Sequence, residues 1–273
     1  MSIALKGTLV LVGAGKMGGA MLEGWLKGGA APQKIAAFDP APPPEVKALI
    51  ERHGIRLNPP PRDVTDAQVI VVAVKPQVME DVLPGVVVMG ASKPLILSVA
   101  AGKTIASFER HFGSDAAVIR TIPNTPAAVG RGITAMARNA HVSADQMKLA
   151  ETLLSAIGEV VEVGHEGLID AVTAVSGSGP AYVFYLTECL AAAGEKAGLP
   201  AELAMKLARA TVSGAGELMR VTGIEAATLR QNVTSPKGTT YAALQVLMAE
   251  NGMGPLFDKA VAAATARSRE LAN

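Results

Sequence analysis

Residues 8–19 read TLVLVGAGKMGG, and the rest of the chain is organised around them. Leu9 to Val12 is an unbroken apolar run, the pattern of a strand buried on both faces. Gly13, Gly15 and Gly18 follow at GxGxxG spacing. The first glycine permits a tight turn. The second lets backbone approach a pyrophosphate. The third lets the next helix lie close to the strand. A helix is predicted over 16–27, with Met17, Ala20, Met21 and Trp25 on roughly one face. Its free N–H groups and positive dipole end then face the phosphates. A purely structural turn is the alternative. The motif's place, directly after a strand and opening a helix, favours dinucleotide binding.

A chain of 273 residues is long enough for two domains. With 49% hydrophobic and 18% charged residues it is not disordered. A net charge of +1 gives no electrostatic reason to expect nucleic acid or an acidic membrane, and 3% aromatics disfavour base-stacking platforms. Cys189 is the single cysteine, so no intrachain disulfide forms and nothing points to an oxidising compartment. His53, His111, His141 and His165 are scattered, without metal-site spacing. No signal peptide and no run of about 18 apolar residues is present, so a cytoplasmic protein is expected.

A second strand at 34–38 ends in Asp39, 21 residues after Gly18. An acid there either holds the adenosine ribose hydroxyls, repelling a ribose phosphate, or opens a turn with Pro40. A helix at 45–53 and a short strand at 55–57 follow. Val69 to Val74, VIVVAV, is the clearest buried parallel strand, and it runs into Lys75-Pro76-Gln77. Ligands bind at such carboxyl ends in open α/β sheets; Lys75 is either functional or solvated, and Pro76 suits a helix start. A strand at 95–99 ends in Ala100-Ala101-Gly102, small residues that leave room for a flat ring. A helix at 105–112, strands at 116–121 and 132–138, and a helix at 144–156 complete this half. The alternation argues a doubly wound parallel sheet of Rossmann type.

Beyond His165 no convincing strand appears, which places a domain boundary between 164 and 165: a dinucleotide-binding domain over 1–164 and a helical one over 165–273. VSGSGP at 175–180 is read as a break. Helices are predicted at 181–196, 201–219, 224–231, 239–249 and 255–271. Ser213-Gly214-Ala215-Gly216 weakens its helix unless another backbone packs close, so this half is expected to form a subunit interface. Two polar segments stand out there, AVSGSGPAY at 174–182 and NVTSPKGTT at 232–240. The second sets Ser235, Thr239, Thr240 and several N–H groups before a helix, either a carboxylate pocket or an ordinary capped loop.

Taken together these stretches resemble the pyrroline-5-carboxylate reductases over almost the whole chain. VGAGKMGGAM at 12–21 and AVKPQ at 73–77 are shared with other dehydrogenases. RTIPNTPAAVGRGITA at 120–135, DAVTAVSGSGPAYVF at 170–184 and NVTSPKGTTYAAL at 232–244 are more specific. The resemblance implies reduction of 1-pyrroline-5-carboxylate to L-proline, with NADPH or NADH as cofactor, by an interlocked homodimer that can build higher assemblies. It implies that Gly13, Ala14, Gly15, Lys16, Met17 and Gly18 hold the pyrophosphate and Asp39 faces the ribose. Ala73, Val74, Lys75 and Pro76, with Ala100 and Ala101, would border the nicotinamide; Asn232 matches a further cofactor contact. Glu166, Ser235, Thr239 and Thr240 match the substrate side. The backbone of Thr239 and Thr240 would hold the carboxylate, and the Thr240 hydroxyl, the one catalytic group, would meet the ring nitrogen as hydride reaches the imine carbon.

The chain departs from the family pattern at Lys237, where a second glycine is usual, at Asp39, where NADPH-preferring members carry small or basic residues, and at Pro60-Pro61, where many carry an asparagine near the adenosine. A β-hydroxyacid dehydrogenase shares the layout but needs a base, commonly a lysine on the first helix of the second domain. PAYVFYLTECL after Gly179 has none before Lys196. A non-catalytic nicotinamide-nucleotide sensor would bind cofactor without turnover.

Overall fold

The computed structural model describes residues 3–272. Its eight strands are β1 (Thr8–Val12), β2 (Ile35–Phe38), β3 (Arg56–Leu57), β4 (Ala67–Val72), β5 (Leu95–Ser98), β6 (Val118–Ile122), β7 (Gly132–Arg138) and β8 (Gly158–Glu162). They form one sheet in the order β3-β2-β1-β4-β5-β6-β7-β8. The helices among them are α1 (Lys16–Lys27), α2 (Pro44–His53), α3 (Met79–Val87), α4 (Ile105–Phe112) and α5 (Ala144–Leu154). Then come α6 (Ile169–Val172), α7 (Gly179–Lys196), α8 (Ala201–Thr222), α9 (Ala226–Asn232), α10 (Thr239–Leu247) and α11 (Met253–Ala272).

The alternation of side chains across β1 explains the two-sided core. Leu9 and Leu11 face a cluster containing Met21, Leu22 and Trp25 of α1 and Leu153 of α5. Val10 and Val12 face Met79 and Leu83 of α3 and Phe108 of α4. Each fully buried side chain of this size contributes roughly 1.5–3 kcal/mol. Trp25 has no solvent exposure, and its indole N–H donates to the Leu153 carbonyl (2.9 Å), which ties α1 to α5. Local signals set the boundaries. Pro44 starts α2 and Gly54 ends it in left-handed conformation. Thr104 caps α4, and Ser143 and Gln146 form a capping box on α5.

The expected Rossmann-type sheet and the helices after it are present, with four differences. β1 to β6 run parallel, but β7 pairs antiparallel with β6, and β8 is parallel to β7. The sheet is therefore not parallel throughout. β8 is absent from the sequence-based expectation because GEVVE is mostly exposed at an edge and shows no buried run. β4 ends at Val72; Ala73 and Val74 lie beyond the strand, Ala73 still joined to β1 through its N–H. Residues 173–177 form a π-helical turn that joins α6 to α7, leaving only Ser178 outside helix where a break was expected.

Contacts divide the chain into two compact units, Met1–Gly177 with Thr265–Asn273, and Ser178–Ala264. Residues 165–177 lie with the sheet: Ile169 is buried against Ile122 and Ala137, and Asp170 accepts from Ser268 (2.7 Å). In the helical unit α7 packs on α8, with Ala191, Ala204 and Ala208 buried. Among the described residues no helix is long and apolar enough to cross a membrane. No cluster of three or more His, Cys, Asp or Glu able to hold a metal ion occurs among them either.

Candidate functional site

β1 lies between β2 and β4, so the strand order reverses at its carboxyl end, where open α/β sheets bind ligands. Gly13 occupies that point at φ +93°, and its N–H donates to the Phe38 carbonyl (2.8 Å). A Cβ on Gly13 would lie 2.7 Å from the Ala73 carbonyl oxygen, and one on Gly18 would run into the Gly13 carbonyl. These two glycines are required by the protein itself. Gly15 is different: a Cβ there would meet nothing within 4 Å. It is also the N-cap of α1, with no side-chain cap and no acid in the first turn. The turn thus presents free backbone donors with clear space beside them, which fits a pyrophosphate. Ala14 is buried in this turn, Lys16 projects to solvent, and Met17 packs partly on the core.

Asp39 ends β2 and fastens the neighbouring backbone. Its Oδ2 accepts from Ala14 N–H (2.7 Å) and its Oδ1 from Ala41 N–H (2.8 Å). The second bond is the turn that the Asp-Pro pair foreshadowed. A carboxylate has lone pairs for further donors, so this geometry leaves a ribose contact open. Asp39 shares a cleft of about 330 Å³ with Gly13, Val74, Asn58 and Pro61. Its walls are largely apolar, with Val82 and Met89 on the side of α3, as suits a flat heterocycle. Asn58 is a residue that sequence reasoning missed. Its side chain pairs twice with the Asp39 backbone, at 2.9 and 2.8 Å, from a left-handed backbone (φ +49°). It stands just before the prolines at which an asparagine was sought.

On the other side of the switch point, Ala73 N–H donates to the Val12 carbonyl (2.7 Å), and Val74 lines the cleft. Lys75 is exposed and precedes a single 3-10 turn beginning at Pro76. Ala100 is buried and Ala101 exposed in the 99–104 loop between β5 and α4. Lys103 of this loop pairs with Glu80 on α3 (3.0 Å), and Glu80 also meets His111 of α4 (3.1 Å). The Lys103 ammonium, and after it the His111 ring, hold the Glu80 carboxyl below its ordinary range.

Glu166, expected on the substrate side, is half-buried in the sheet unit. Its Oε1 accepts from Ile105 N–H at the first turn of α4 (2.9 Å) and from Arg120 Nη1 (2.8 Å). Arg120 opens the RTIPNTPAAVGRGITA stretch, from which no role for it follows. A charged residue inside an otherwise buried strand, VIRTI, was the available signal. Asn124, from the same motif, donates to the Ser176 carbonyl (3.2 Å) in the π-helical turn and accepts from Ile133 N–H (3.0 Å). Such turns are frequent at functional sites.

Asn232, Ser235, Thr239 and Thr240 belong to the helical unit. Asn232 is the last residue of α9, and Gly238 is the N-cap of α10 without a side-chain cap. Gly238 N–H donates to the Ser235 carbonyl (3.0 Å), with Pro236 and Lys237 between them and Lys237 at φ +58°. Proline second and a left-handed residue third is the arrangement of a type II turn. The departure at Lys237 therefore falls at the one position of this turn where glycine is favoured. The turn delivers the first N–H groups of α10, with the Thr239 and Thr240 side chains beside them, to one place.

Residues 166–271 match the family described as pyrroline-5-carboxylate reductase dimerisation, and residues 8–102 match NADP oxidoreductase, coenzyme F420-dependent. A pyrroline-5-carboxylate reductase of Pseudomonas aeruginosa is 40% identical over 97% of this chain and 96% of its own length. That of Synechocystis sp. is 45% identical over 82% of each chain. The solved pyrroline-5-carboxylate reductase of Coxiella burnetii superposes with a TM-score of 0.91 at 34% identity, over 98% of this chain and all (100%) of the other. On sequence and structure alike, the chain belongs to the pyrroline-5-carboxylate reductase family.

Proposed function

We propose that this protein reduces 1-pyrroline-5-carboxylate to L-proline with NADPH or NADH, as a cytoplasmic homodimer able to build higher assemblies. The carrying observation is the uncapped start of α10 behind the Ser235–Gly238 turn, in a chain whose β1 ends in a dinucleotide-binding turn. Kinship supports the same activity, and the solved Plasmodium falciparum relative, 27% identical with a TM-score of 0.81, carries NADP.

Gly13 to Gly18, with the first turn of α1, hold the pyrophosphate. Asp39 faces the ribose, and Ala73 to Pro76 with Ala100 and Ala101 border the nicotinamide. Asn232 supplies a further cofactor contact. The reduced nicotinamide, when bound, supplies the hydride. Ser235 and the N–H groups of Thr239 and Thr240 hold the substrate carboxylate, favoured by the positive end of α10. The Thr240 hydroxyl meets the ring nitrogen and orients the imine carbon, and Glu166 lies on the substrate side. The imine takes its proton from water, so no side chain serves as general acid.

Residues 165–273 serve as the dimerisation and substrate domain. In support, Phe184, Tyr185, Val246 and Leu256 are all more than half exposed in the single chain. A Cβ on Gly214 or Gly216 would meet nothing within 4 Å, so the small-residue stretch of α8 has room for another backbone. No nucleic acid or membrane partner is part of this reading. The test is a spectrophotometric assay with the imine and each reduced cofactor. Cofactor should be consumed only with the imine present, and proline should accumulate. Turnover of a 3-hydroxy acid with no proline formed would sink the assignment.

A further inference from the structure

We propose that Arg120 is a positioning residue for the hydride-transfer site: it fixes the Glu166 carboxylate against the first turn of α4 and so holds the 99–104 loop. This rests on the function proposed above, in which that loop borders the nicotinamide.

Arg120 is only 3% exposed, in a strand whose five residues are all buried. A guanidinium at such a place is costly without a counter-charge, and Glu166 supplies one at 2.8 Å. The same oxygen, Oε1, accepts Ile105 N–H at 2.9 Å. One carboxylate oxygen therefore links the middle of β6 to the start of α4. Ile105 immediately follows the 99–104 loop. The other end of the loop is also tied to this part of the sheet: Val99 N–H donates to the Val72 carbonyl (3.0 Å), and Ala100 N–H donates to Ser98 Oγ (3.3 Å). Ser98 is the register partner of Arg120 across β5 and β6. The loop is thus pinned at both ends, and Arg120 flanks both pins.

The guanidinium is committed to this contact through one nitrogen. Nε and Nη2 are buried and find no acceptor among the described residues. A single N–H contact is one that a lysine ammonium can reproduce. Asn124 repeats the device two residues beyond β6, where its amide holds the Ser176 carbonyl, so Arg120 and Asn124 together hold both ends of the 166–177 segment.

The experiment compares the whole reduced dinucleotide with its nicotinamide-free fragment, ADP-ribose or its 2′-phosphate. Dissociation constants are measured on wild type, Arg120→Gln, Arg120→Lys and the double variant Arg120→Met/Glu166→Gln. In Arg120→Gln the dinucleotide should bind about tenfold more weakly. The fragment, held by the Gly13–Gly18 turn and Asp39, should stay within about twofold. kcat should fall together with dinucleotide affinity, and Arg120→Lys should recover most of both. The double variant leaves no unpaired charge, so it should fold even if Arg120→Gln does not, and it should show the same selective loss. An unchanged ratio of dinucleotide to fragment affinity in the folded variants, or equal loss of both ligands, overturns the role given to Arg120. If wild type binds neither ligand and does not turn over the imine, the proposed function fails, and this inference fails with it.

Discussion

The sheet unit buries most of its large apolar side chains within one chain, whereas the helical unit leaves most of its own exposed. β1 is wholly buried, and Trp25 and Phe108 have no exposure. On the helices, Tyr185 is 67% and Val246 71% exposed. A single chain is therefore sufficient to bury the turn after β1 and insufficient to cover the helices around the 235–240 loop proposed to hold the substrate. Cofactor binding should survive loss of the assembly, and catalysis should not. The largest expected effect follows. Phe184→Asp or Val246→Asp puts a charge on a face meant to be covered, at a cost of about 2–4 kcal/mol to association. Light scattering should find monomer, and proline formation should fall at least ~100-fold, while ADP-ribose binding stays near wild type. Dimers with full activity from both variants would erase the contrast between the units.

The next effect lies in the 235–240 loop proposed to hold the substrate. Thr240→Ala keeps the backbone N–H and removes the hydroxyl, so carboxylate binding should persist while the ring nitrogen loses its partner. A hydrogen bond of this kind is worth about 1–1.5 kcal/mol. kcat and kcat/KM should both drop about tenfold, with cofactor affinity unchanged. Ser178→Ala is the control, because Ser178 lies between the π-helical turn and α7. Full activity in Thr240→Ala with a loss in Ser178→Ala would move the substrate nitrogen to the other polar loop.

The two units also differed in how far their sequences could be read. β1, α1, α2 and α4 follow closely from apolar runs, caps and glycines, because local chemistry and burial agree there. β8 did not show itself: GEVVE is a polar edge strand, held by pairing with β7 rather than by its own pattern. The reversal of β7 is a tertiary outcome that no residue between 123 and 131 announces. In the candidate site, the turn after β1 and the loop before α10 were legible as local structure, because Gly13 and Gly18 lie against backbone and Gly238 opens a helix. Arg120, Asn58 and Asn124 were not, since each acts on a residue distant in sequence. Contacts put residues 165–177 with the sheet, though the strand-free half of the sequence begins at His165, since sequence patterning reports secondary structure and not the core against which it packs.

A smaller effect tests the adenosine end of the sheet unit. Asp39 carries a negative charge into the cleft beside the turn, so it should disfavour a ribose phosphate, and NADH should serve at least comparably to NADPH. Asp39→Ser should raise relative NADPH use about tenfold. It also removes an acceptor for Ala14 or Ala41 N–H, so NADH affinity should fall as well. Strong NADPH preference in wild type, unchanged in the variant, would mean that Asp39 serves the turn alone.

The smallest effect belongs to Lys237, where the helical unit departs from its family at a position with a clear physical demand. Its backbone is left-handed at φ +58°, in a turn closed by the Gly238-to-Ser235 hydrogen bond. A residue with a Cβ loses about 1 kcal/mol in that conformation relative to glycine, and glycine gives back part of it through a more flexible unfolded chain. Lys237→Gly should therefore be more stable by about 0.5 kcal/mol, raising Tm by roughly 1–2 °C. If that were the only consequence, glycine would be the better residue. The lysine also sets an exposed cation beside N–H groups proposed to hold a carboxylate, so the variant should show a KM for the imine raised about two- to threefold at low salt. At 0.5 M salt the KM difference should vanish while the Tm difference remains, because screening acts on the charge and leaves the backbone strain untouched. A KM difference that persists in salt would trace instead to a changed turn shape, and a lower Tm in Lys237→Gly would show that the left-handed conformation carries no strain.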